Sequence, residues 1–137
     1  MKKIEGVEDI QKFLLSLLNT LENGSQMKSI LTGKPLVYYF WDDFAEQFMQ
    51  KRVMKNITLK SLRLTKANFD TEEHKNYSWY LKEVKHIFCD EEMDGDVIFI
   101  YGSTVIIFDT VLMTAEFFEW SDTFDTYVNF FQKYWDR

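Results

Sequence analysis

Val97-Ile98-Phe99-Ile100-Tyr101-Gly102-Ser103-Thr104-Val105-Ile106-Ile107-Phe108 is the stretch that decides the fold class. Two runs of β-branched and aromatic residues flank Gly102-Ser103, a pair suited to a tight hairpin turn with positive φ at the glycine. Ala115 to Trp120 reads as a further strand. Beyond it, Ser121 is a good N-cap for a last helix that buries Phe124, Tyr127, Val128, Phe131, Tyr134 and Trp135 on one side.

The pattern upstream of the hairpin is different. After a short apolar lead, Ile4 to Val7, residues Ile10, Phe13, Leu14, Leu17, Leu18 and Leu21 fall three or four apart and form one helical stripe. Asn23-Gly24 stops that helix, with Gly24 able to take a left-handed C-terminal cap. Gln26 to Leu31 is a short strand ended by Gly33-Lys34-Pro35. A helix from Asp42 to Asn56 carries its acids first and Lys51, Arg52 and Lys55 last, as the helix dipole favours. Ile57 to Leu64 is a strand, and Asp70 to Leu81 a helix whose Asp70 and Glu73 have capping-box spacing. Lys82 to Cys89 alternates Val84, His86 and Phe88 against Lys85, Ile87 and Cys89, a strand with two distinct faces. The expected order is β-α-β-α-β-α-β-β-β-β-α, an α/β layered domain with a mixed sheet flanked by helices. At 137 residues, with five glycines, one proline and no repeat or low-complexity tract, residues 1–137 read as a single domain.

Net charge is -6, so the molecule as a whole repels a phosphate backbone. The charge is divided along the chain. From Gln47 to Phe69 there are six bases, Lys51, Arg52, Lys55, Lys60, Arg63 and Lys66, and no acid; from His86 to Gln132 there are ten acids and no Lys or Arg. Two solvated faces would explain this. The alternative is that Lys51, Arg52, Lys55, Lys60 and Arg63 form a patch for an anion or an acidic partner. The single cysteine cannot form an internal disulfide. No basic-then-apolar leader and no run of eighteen apolar residues occurs, so the expected setting is cytoplasmic and off the membrane.

Catalytic and metal motifs are weak. Asp90-Glu91-Glu92-Met93-Asp94-Gly95-Asp96 places carboxylates at calcium-loop positions one, three and five and glycine at six, but position twelve is Tyr101. Gly33-Lys34 is followed by Pro35 instead of Ser or Thr, so no phosphate loop is present. Cys89 and His86 point to opposite faces of one strand and cannot pair within it, although His74 could reach Cys89 through the fold. Two histidines and one cysteine make a zinc site unexpected. No cofactor, metal or catalytic residue is expected. In an open α/β sheet a small ligand sits beyond the carboxyl ends of the strands, which nominates Thr32, Thr65, His86 and Tyr101.

Four stretches taken in order carry a resemblance: Lys51-Arg52 through Leu64, Trp79-Tyr80-Leu81-Lys82-Glu83-Val84-Lys85, Ile98 through Ile107, and Phe130-Phe131-Gln132-Lys133-Tyr134-Trp135. The chain resembles the C-terminal, phospholipase-D-like sensor domain of TrmB-type transcriptional regulators. The opening Ile4-Glu5-Gly6-Val7-Glu8-Asp9-Ile10 also looks like that family's lead into its first helix. The resemblance implies a phospholipase-D-like half, a non-catalytic regulatory domain that senses a small-molecule effector, and a homodimer. Family regulators carry a winged helix-turn-helix ahead of this domain, and none precedes it in this sequence. An autonomous sensor module, or a relative reused for protein interaction, is therefore expected, with no direct nucleic-acid binding. Phospholipase D chemistry uses His-x-Lys; His74 is followed by Asn76 and His86 by Phe88, so phosphodiester hydrolysis is not expected. The alternative reading is a stand-alone acidic inhibitor or immunity-type protein that binds a protein partner.

Overall fold

The computed structural model describes residues 2–31, 42–65, 81–88 and 97–136. Their elements are β1 (Lys2–Glu5), α1 (Val7–Thr20), β2 (Gln26–Leu31), α2 (Asp42–Met54), β3 (Thr58–Thr65), β4 (Lys82–Phe88), β5 (Val97–Tyr101), β6 (Thr104–Asp109), β7 (Thr114–Glu119) and α3 (Asp122–Trp135). This is the expected α/β class, and strand bounds differ from the sequence reading by a residue or two. The helix expected over 70–81 lies outside the described residues except for Leu81, a turn residue with φ 57°.

The seven strands form one mixed sheet in the order β1-β7-β6-β5-β2-β3-β4. Strands β2, β3 and β4 run parallel, while β5 lies antiparallel against β2 and leads the antiparallel meander β5-β6-β7, with β1 closing the far edge. Gly102 and Ser103 form the two-residue β5–β6 connection between paired Tyr101 and Thr104, and Gly102 takes φ 52°. A left-handed φ costs glycine little because it has no Cβ.

Amphipathic stripes explain the layers. Helix α1 buries Ile10, Leu14, Leu17 and Leu18, which share one core with Phe44 and Phe48 of α2 and with Met27, Leu31, Leu59, Phe99 and Phe108 of the sheet. Phe48 stacks on Phe99 with ring centroids 6.3 Å apart, and Phe13 meets Phe117 edge-on at 4.7 Å. On the opposite face α3 buries Tyr127, Phe131 and Tyr134 against Ile30, Leu62, Leu64, Ile98, Ile100 and Val105. Ser121 caps α3 as expected, its Oγ accepting from the Phe124 N–H at 3.2 Å.

The end of α1 differs from expectation. Leu21, in extended backbone, is its C-cap, and Gly24 (φ 83°) lies in the following turn, where its N–H donates to the Lys55 carbonyl. The last carbonyls of α1 are satisfied by a side chain. Lys55 Nζ donates to Leu18 O at 2.7 Å, to Asn19 O at 3.2 Å and to Leu21 O. A cation there replaces the glycine cap and faces the negative end of the helix dipole. Lys55→Met keeps the aliphatic stem but loses these bonds, and is expected to cost about 1–3 kcal/mol in urea unfolding.

Candidate functional site

The parallel strands present three cross-strand rows toward α1 and α2: Met27, Leu59 and Lys82; Ser29, Ser61 and Val84; Leu31 and Arg63. Side chains at paired positions share a face. Each row begins apolar or small at β2, and two of the three turn basic toward β4. The core on this side therefore grades into a polar region at the edge of the sheet.

Arg52, in the last turn of α2, is 2% exposed and reaches into that region. Its Nη1 donates to Ile57 O at 2.8 Å and to Leu81 O at 3.1 Å, tying together the residues that precede β3 and β4. Burial lowers its pKa to about 10. Lys82 opens β4, and its pKa falls to about 8, first through burial and then through the like charges of Arg52 and Arg63. Among the described residues Lys82 has no carboxylate partner. Between the rows of Lys82 and Arg63, Ser29 Oγ donates to Ser61 Oγ at 2.8 Å, with the two residues 2% and 1% exposed. Two hydroxyls carry two protons and this bond uses one. Among the described residues nothing accepts the other.

A lysine whose pKa is lowered on folding binds fewer protons in the native state than in the unfolded one. Stability therefore rises with pH between about 8, the folded value, and 10.5, the ordinary value. Below pH 8 the full penalty of the buried charge is present. Lys82→Met is expected to be more stable than the parent at pH 7 and to lose this rise, as denaturant midpoints at pH 7, 8.5 and 10 would report. An equal rise in both proteins would refute the assignment to Lys82.

The basic segment does not form the contiguous patch that its sequence suggests. Lys51 is exposed on α2, Arg52 is buried, Lys55 caps α1, and Arg63 shares the face of Lys82. Lys60 lies on the opposite face, its Nζ 5.5 Å from the Trp135 ring centroid, beside Lys28 at 5.3 Å over Phe131. Lys85 donates to the Trp135 carbonyl, so basic side chains of β2, β3 and β4 hold the C-terminal end of α3 by cation–π contact and dipole. The fold scatters these charges because alternate strand residues face opposite ways.

The nominated ligand residues are also divided. Thr65 ends β3, and His86 pairs with Arg63 two residues before that end. Tyr101 ends β5, which runs antiparallel to β2: Val97 pairs with Leu31 and Ile100 with Lys28. Tyr101 is thus at the opposite end of the sheet, four strand residues or about 13 Å from the Leu31 row. Burial and the nearby Glu119 raise its phenol to about 12. Thr32, Cys89, His74 and the Asp90–Asp96 run lie outside the described residues.

Ser29, Ser61 and Lys82 are absent from the residues nominated by sequence. Strand parity was the available signal: Lys82 has the parity of Val84 and His86, and Ser61 lies midway between Leu59 and Arg63. Among the described residues no group of three His, Cys, Asp or Glu side chains could hold a metal ion, and no helix is long and apolar enough to cross a membrane. Set against protein-family models, curated proteins and solved structures, the chain matches none.

Proposed function

We propose that this chain is a non-catalytic regulatory or ligand-sensing domain of the TrmB-like type, dimeric and cytoplasmic, that binds a small-molecule effector and no nucleic acid. The observation carrying this reading is the buried Ser29–Ser61 hydroxyl pair, which keeps one proton without an acceptor among the described residues, on the sheet face that also carries Lys82. Burying polar groups inside a core is costly unless they are satisfied, and a ligand that satisfies them is a physical reason to keep them. The order of elements over the described residues agrees with the one read from the residue pattern.

A ligand that binds only the folded state stabilises it by about 2.7 kcal/mol at a hundred times its Kd. A thermal-shift screen of neutral sugars, organic acids and phosphate esters is expected to yield a compound that raises Tm by several degrees. A screen without one would overturn the reading. Sedimentation equilibrium tests the dimer.

Protein binding is favoured by a different observation. Trp120 is 83% exposed beside Phe124, with ring centroids 6.5 Å apart, and Glu119, Asp122 and Asp125 are its neighbours in the chain. Tryptophan is enriched among residues that dominate binding energy. A stoichiometric protein partner released by Trp120→Ser, with no small-molecule stabilisation, would select this reading over the first.

A further inference from the structure

We infer that the exposed Trp120 ring, with Phe124 beside it and Glu119, Asp122 and Asp125 flanking it in the chain, is a docking surface for an arginine-bearing basic segment of a protein partner. The inference is independent of the ligand-sensing reading; it rests on the protein-binding one and names the partner's chemistry. Its starting point is a residue that adds little to the fold. Trp120 is 83% exposed, so its ring contributes little burial, and its backbone takes φ 45°, a left-handed conformation that glycine or asparagine adopts with less strain. A large apolar side chain kept at a strained, solvent-facing position has its reason outside the chain.

The platform is fixed from both sides before anything binds. The Trp120 N–H donates to the Ser103 carbonyl at 3.0 Å, tying it to the β5–β6 turn, and the Ser121 cap holds the Phe124 backbone, with the two ring centroids 6.5 Å apart. Rings already in place lose less entropy on binding. Charge selects the occupant. Glu119, Asp122 and Asp125 are exposed, and among the described residues none of them is in an ion pair. The positive end of the helix dipole accounts for the two aspartates in the first turn of α3, but not for Glu119 at the end of β7. The ring therefore stands among carboxylates, and an indole face attracts cations more strongly than other rings do. Arginine suits both, because its plane stacks on the ring while its N–H groups reach a carboxylate. An acidic segment is repelled here, and a purely apolar one desolvates the carboxylates without pairing them.

The test uses the full chain and three fluorescein-labelled peptides read by anisotropy: arginine alternating with glycine, glutamate alternating with glycine, and leucine alternating with serine. Only the arginine peptide is expected to bind saturably. Trp120→Gly is expected to weaken that binding at least tenfold without lowering Tm, a combination that a role in the core would not give. Glu119→Gln should weaken it severalfold, and Glu22→Gln, an exposed acid on another element, should leave it unchanged. Arginine-peptide binding that survives Trp120→Gly is attraction to net charge alone and overturns the inference, as does a fall in Tm in that variant. Trp120-dependent binding of the leucine peptide instead removes the cationic partner and leaves protein binding intact. A dimer of the chain alone that Trp120→Gly dissociates in sedimentation velocity shows a second copy covering the ring, and overturns the inference too. Failure of all three peptides overturns it; the protein-binding reading falls with it only if Trp120→Ser also releases no stoichiometric partner.

Discussion

Phe131→Ala is expected to cost about 3–5 kcal/mol, which for a domain whose whole stability is about 5–15 kcal/mol leaves a marginal fold. Phe131 is 1% exposed at the centre of the α3 contact, stacked on Trp135 with ring centroids 5.3 Å apart and lying under the Lys28 ammonium. Truncation removes apolar burial, leaves a cavity between helix and sheet, and takes away the Lys28 cation–π contact on the C-terminal half of α3. Urea unfolding reads the loss directly. Its neighbour Phe130, partly buried beside Tyr134 at 4.7 Å, is the internal control and should cost less than half as much. Equal costs for the two would mean that α3 is not docked through Phe131.

Arg52→Met is expected to cost about 2–4 kcal/mol, although methionine occupies similar apolar space. Two backbone carbonyls, Ile57 O and Leu81 O, lose a charged donor in a closed environment. Leu81 O also accepts from the Leu59 N–H at 2.9 Å, so the loss falls on the first rung between β3 and β4. Amide exchange at Leu59 should quicken more than exchange at Ile98 or Val105 in the strands beyond. Arg52→Lys should recover little, because the lysine ammonium ends one bond short of the Nη1 that reaches both oxygens. Uniformly faster exchange across the sheet would show that Arg52 acts on global stability alone.

Local chemistry explains which parts of this architecture were legible in sequence. The Gly102 hairpin, the Ser121 cap and the stripes of α1 and α3 each depend on residues a few positions apart, and each appears where the pattern predicted it. The end of α1 was misread because its cap comes from Lys55, 34 residues after Leu21 in the chain. Distance along the sequence likewise hid the candidate site. Six bases in a row of chain suggested one patch, whereas strand alternation sends Lys60 to α3 and Arg63 to the other face. Tyr101 was grouped with Thr65 because both end strands, and only the antiparallel pairing of β5 with β2 reveals that those ends are opposite.

The serine pair also has a consequence for how the chain finds its alignment. Of the six opposed β2–β3 pairs, Met27–Leu59 and Ile30–Leu62 are apolar on both sides and would tolerate exchange of one such residue for another. Ser29 and Ser61 occupy directly opposed positions. A slip of one residue would turn every β3 side chain to the wrong layer, and a slip of two would set Ser29 against Leu59 or Arg63, stranding both hydroxyls inside the core. The pair therefore penalises the near-native misalignments that hydrophobicity alone would forgive, which makes it a registration mark for the parallel half of the sheet.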